Sequence, residues 1–112
     1  MAEEEIIAFI RDGLGSVYAL ELLLLIRRHG GKTWRGSDLV RELRSSATAV
    51  TEALHRLIRA GLIAEEPAGR YGFAPSSPMH ARLADAVDEL YSQTPISVMK
   101  AIVARPSHKP QN

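Results

Sequence analysis

Four histidines, His29, His55, His80 and His108, are the side chains best suited to bind a metal or pass a proton. They stand 26, 25 and 28 positions apart, and no two have the i, i+3 or i+4 spacing that sets ligands on one helix face. The chain has no cysteine, so thiolate metal sites, disulfides and cysteine nucleophiles are excluded together. Its carboxylates fall on solvated helix faces, with no inward pair for acid–base work, and neither a phosphate-cradling glycine loop nor a nucleophile elbow occurs. These absences predict a chain that is not an enzyme and needs no cofactor or metal. The remaining chemistry is polar and cationic. Thr48, Thr51, Glu52, His55, Arg56 and Arg59 recur at helical spacing, opposite an apolar Val50, Ala53, Leu54 and Leu57. A face of hydrogen-bonding and cationic groups of this kind can read base edges in a major groove.

The charge distribution agrees. The formal net charge is +1 over 112 residues, but it is uneven. Residues 1–26 sum to −4, residues 27–82 to +5 and residues 83–112 to zero. The basic middle of the chain coincides with the polar helix face, and such a segment attracts polyanions.

The elements that must hold this face follow from periodicity and punctuation. A first helix is expected from Ala2 to Arg11, with Glu3, Glu4 and Glu5 suiting its N-terminal dipole and Gly13 and Gly15 breaking it. Ser16 reads as the cap of a second helix, Val17 to His29, closed by Gly30-Gly31. That helix is apolar nearly all round, so it must be covered on several sides, and in so small a domain a second subunit could supply part of the cover. Lys32-Thr33-Trp34 is extended. Ser37 or Asp38 caps a short helix over Leu39 to Arg44, Ser45-Ser46 turns, and the reading helix runs from Ala47 to Ala60. Leu62 to Glu66 and Arg70 to Ala74 form a hairpin about Pro67-Ala68-Gly69. Ser77-Pro78 and Thr94-Pro95 each announce a helix by a hydroxyl cap and a proline in the first position. The first presents Met79, Leu83, Val87, Leu90 and Tyr91 inward, the second Ile96, Met99, Ile102 and Val103. Tyr18, Tyr91, Met79 and Met99 read as core rather than as a ligand pocket.

At Leu57-Ile58-Arg59-Ala60-Gly61-Leu62-Ile63 the chain resembles the L-x-x-A-G-L-I junction of winged helix-turn-helix regulators, the MarR-like proteins among them. The leucine anchors the helix end in the core, and the glycine permits a left-handed exit into the first strand. The resemblance covers Thr33 to Ala74. It implies a mainly α fold with a small β-hairpin wing, carrying extra N- and C-terminal helices. The whole is one domain over 1–104 (motif 33–74, flanking helices 2–29 and 78–104) with a disordered tail at 105–112. It also implies double-stranded DNA as partner, read by a homodimer that pairs through its N- and C-terminal helices. Thr51, His55 and Arg56 are the expected base contacts, with Ser46 and Thr48 beside them; Arg59, Arg35, Arg41, Arg44 and Arg70 are expected on the phosphates. Arg35 and Arg41 also have Asp38 and Glu42 within reach.

Two features depart from the pattern. Glu52 lies on the reading face, and Glu65-Glu66 opens the wing, where only Arg70 offsets them. Both favour an alternative, a winged-helix module that binds protein. The N-terminus shows no basic segment followed by an apolar run, which predicts a cytoplasmic protein.

Overall fold

A computed structural model describes residues 1–104; the tail expected to be disordered lies outside the described residues. The fold is mainly helical, with six α-helices and one small antiparallel sheet among the described residues. In chain order they are α1 (Glu3–Phe9), α2 (Val17–Arg28), β1 (Trp34–Arg35), α3 (Gly36–Leu43), α4 (Ala47–Arg59), β2 (Ile63–Glu66), β3 (Arg70–Phe73), α5 (Pro78–Gln93) and α6 (Pro95–Val103).

The centre is α2. Ser16 caps it, its Oγ accepting from the Ala19 N–H at 3.0 Å, and Arg27 and Arg28 complement the dipole at its far end. Leu20, Leu22, Leu23 and Ile26 are wholly buried, together with Ile10, Leu14, Leu39, Leu57, Leu62 and Val98 from the surrounding elements. Each such side chain contributes about 1.5–3 kcal/mol by leaving water. The chain's own helices and sheet bury most of α2. No helix among the described residues is long and apolar enough to cross a membrane.

The sheet has the order β1-β3-β2. The hairpin pairs Ile63 with Phe73 and Glu66 with Arg70, and the short stretch before α3 adds a third strand through Trp34–Tyr71. Trp34 plugs the core beneath this sheet at 4% exposure, with His29 edge-on to its ring and the Lys32 ammonium 4.0 Å over it. Gly61 makes the left-handed exit from α4 at φ 79°, as the junction motif implied.

Four local expectations are corrected. The first helix does not break at Gly13: it widens into a five-residue π-helical turn, Ile10–Leu14, and stops at Gly15, whose N–H reaches back to the Ile10 carbonyl. Next, α3 begins at Gly36 instead of Leu39, because the Asp38 carboxylate accepts from the Arg35 N–H and holds the first turn. Thr94 does not cap α6, since its hydroxyl donates to the Leu90 carbonyl and closes α5. Finally, α6 turns Val98 and Ile102 inward, which leaves Ile96 and Val103 outside at 62% and 81% exposure; Met79 on α5 is likewise 56% exposed.

Candidate nucleic-acid interface

The polar face of the sequence is a real surface of α4. Ser46 starts the helix, its Oγ accepting from the Ala49 N–H at 3.1 Å, so this side chain is occupied as a cap. Val50, Ala53, Leu54 and Leu57 are buried against α2 and α3, which fixes the helix rotation. Thr48, Thr51, Glu52, His55 and Arg59 are consequently exposed on the opposite side. None of the five makes a side-chain hydrogen bond or ion pair within the described residues. A rigid helix thus presents two hydroxyls, an imidazole, a carboxylate and a guanidinium to solvent without internal partners.

Arg56 does not belong to that set. It is half-buried and turns toward the end of the π-helical turn, where Nη1 donates to the Asp12 and Gly13 carbonyls at 3.2 and 3.3 Å. Those carbonyls lie where a helix end leaves acceptors unsatisfied and negative, so a guanidinium both bonds and neutralises them. Phe9, Gly13, Arg56 and Arg59 line a cavity of about 540 Å³ at this seam. The expectation of Arg56 as a base contact places it on the wrong side of the helix. Its wheel position borders both faces, and only the approach of the π-helical turn decides between them.

The flanking arginines divide in the same way. Arg41 pairs with Asp38 at 2.9 Å on its own helix. Arg70 is folded back on β1, with Nε donating to Thr33 Oγ1 at 2.7 Å and Nη2 to the Thr33 carbonyl at 2.9 Å. It ties the hairpin to the third strand, and Thr33 is the functional partner that sequence reasoning missed. Arg35 and Arg44 remain exposed with no side-chain partner within the described residues. Arg44 ends α3 in the left-handed region at φ 53°, and Arg35 leads into the same helix, so the two bracket α3 beside α4. With Arg70 engaged, the exposed Glu65 and Glu66 leave the outer strand of the hairpin acidic.

Between α3, α4 and β3 lies an apolar cleft of about 390 Å³ walled by Val40, Val50, Leu54 and Tyr71, with Thr51 at its mouth. Among the described residues no group of three or more His, Asp or Glu side chains is placed to hold a metal ion. Comparison of the chain with protein-family models, curated proteins and solved structures returned no significant match.

Proposed function

We propose that the chain is a cytoplasmic DNA-binding regulator of the winged helix-turn-helix kind, with α3 and α4 as the helix-turn-helix and the β2–β3 hairpin as its wing. The observation that carries this reading is the outer face of α4, where Thr48, Thr51, His55 and Arg59 are exposed and unpartnered over a rigid apolar base. Threonine, imidazole and guanidinium groups so placed suit base edges and, at the helix end, a phosphate. Arg35 and Arg44 take flanking phosphates. Two copies act together, so that paired α4 helices enter successive major-groove faces about 34 Å apart. The self-pairing surface is the outer side of α6, where Ile96, Met99 and Val103 follow one another at the three-then-four spacing of a helix seam.

Filter binding of double-stranded genomic fragments over a salt series tests this. Binding that weakens linearly in log salt and selects particular fragments is expected. Absence of binding at low salt would sink the proposal.

The acidic hairpin favours a second reading, a winged-helix module whose partner is a protein. It predicts an association with little salt dependence, and a pull-down that returns only nucleic acid counts against it.

A further inference from the structure

The opposite character appears along the seam of α1 and α5. Two cavities of about 480 and 470 Å³ lie there side by side, sharing Met1 and Arg82 in their walls, and together they make a grooved surface. Its floor is apolar, made by Ile6, Phe9, Leu83 and Leu90. Met1 and Met79 stand over it at 57% and 56% exposure, and unbranched thioethers of this kind adapt to varied partners. The rim is mostly acidic: Glu3, Glu5, Asp85 and Glu89 line it, with Arg82 and the Met1 α-amino group as the cations beside them. Asp85 is neutralised by Arg27 from α2. Glu3, Glu5 and Glu89 make no ion pair within the described residues.

We propose that this groove docks a basic amphipathic helix of another protein. The occupant lays an apolar stripe on Phe9, Leu83 and Leu90 and sets lysine or arginine side chains against Glu3, Glu5 and Glu89. Charge complementarity decides among occupants. Phosphate is repelled by the rim, which excludes nucleic acid. A second copy seated in the same groove would oppose identical carboxylates across a twofold axis. From Met79 to Gln93 the α5 wall runs for about 21 Å, the length of a helix of about 14 residues. Apolar anchors recurring every three or four residues, with cations beside them, match such a groove. The inference stands apart from the DNA reading, because it uses a different face and opposite charge.

The probe is a fluorescein-labelled helical peptide of leucine and lysine with leucines at i, i+3, i+4 and i+7, followed by fluorescence anisotropy. The same peptide with glutamate for lysine is its control. The lysine peptide is expected to bind and the glutamate peptide to fail. Glu3→Lys with Glu89→Lys weakens binding by about tenfold, since facing charges are reversed. The equal charge change at Glu65→Lys with Glu66→Lys, residues that do not line the groove, leaves it within about twofold. Met79→Ser, at an exposed position that costs the fold little, weakens it by about threefold through lost apolar contact. Circular dichroism confirms that each variant is folded. The proposal is overturned if neither peptide binds, if both bind alike, or if the hairpin pair weakens binding as much as the groove pair. It is also overturned if the groove variants alter only self-association. No DNA enters the titration, so its outcome leaves the DNA reading untouched.

Discussion

The guanidinium of Arg56 lies directly over Gly15: a Cβ at that glycine would stand 2.8 Å from both Cζ and Nη1. Gly15 also sits in the left-handed region at φ 79°. Gly15→Ala therefore meets two costs, about 1–2 kcal/mol for the backbone and more for displacing the arginine from its carbonyls. Arg56→Ala removes the two hydrogen bonds to the Asp12 and Gly13 carbonyls, where water can take the arginine's place, and costs about 0.5–1.5 kcal/mol. The double variant is expected to lose less than the sum, because removing the arginine removes the clash. Urea unfolding of the four proteins forms the cycle, and strictly additive losses would show that the two groups do not meet.

Arg59 and Arg70 separate contact from support. Arg59 is exposed and unpartnered, so Arg59→Ala leaves stability within about 0.5 kcal/mol. On the DNA reading it lowers affinity and reduces the log–log salt slope by about 0.9, the share of one phosphate. Arg70→Ala behaves in the converse way. It breaks two hydrogen bonds to Thr33 and costs about 1–3 kcal/mol of stability, while the salt slope stays as it was. A changed slope for Arg70→Ala would place the hairpin arginine on the nucleic acid instead.

A pH experiment reads the ion-pair cluster that fastens α5 to the end of α2. Asp88 accepts from Arg27 and, at 2.7 Å, from Arg28, with its side chain 15% exposed. Burial pushes its carboxyl up, but the hydrogen bond and charge of Arg28, the charge of Arg27 and the Ser92 hydroxyl together outweigh it, so the group titrates below the ordinary 3.8. A depressed folded value means stability that is complete above the unfolded pKa and is lost as pH falls through the folded one. Asp88→Asn is expected to cost about 2 kcal/mol at neutral pH, the scale of hydrogen bonds to a charged group. Chemical denaturation repeated down to about pH 2 should show the two proteins converging in acid. A constant gap would mean that packing, not charge, is what the asparagine disturbs.

Much of this architecture is legible in the residues alone, because short-range chemistry writes it. Ser16 and Ser77 each cap the helix expected of them, and Gly61 takes the left-handed turn its motif requires. The inward set of α4 is recovered from spacing because the helix has a single buried side. What escapes is whatever depends on a distant element. Gly13 reads as a breaker, yet tolerates a π-helical turn that brings carbonyls to Arg56, 43 positions on. Arg70 reads as a free cation until β1 joins the sheet and Thr33 receives it. Thr94 has a capper's sequence, but the helix before it claims the hydroxyl first. In α6, five large apolar residues, Ile96, Val98, Met99, Ile102 and Val103, compete for an inward side that buries two, and periodicity cannot say which pair wins.

The losing pair makes the last prediction. Ile96 and Val103 lie seven residues apart on α6, with Met99 between them, at 62% and 81% exposure. Because they are outside, Ile96→Asp and Val103→Asp are expected to leave stability within about 0.5 kcal/mol, the usual range of surface changes. If α6 is the self-pairing surface, a carboxylate at either position meets its own copy across the twofold axis and the dimer dissociates. Sedimentation velocity at micromolar concentration should then show a dimer for the unaltered chain and a monomer for both variants. DNA affinity falls with it, since each α4 must then bind its half-site alone. Met79→Asp, equally exposed but on the α1–α5 groove, serves as the control and is expected to leave the dimer intact. Should Met79→Asp dissociate the protein while the α6 variants do not, the pairing surface lies on the N-terminal side, and the acidic groove is covered by a second copy rather than by a basic helix.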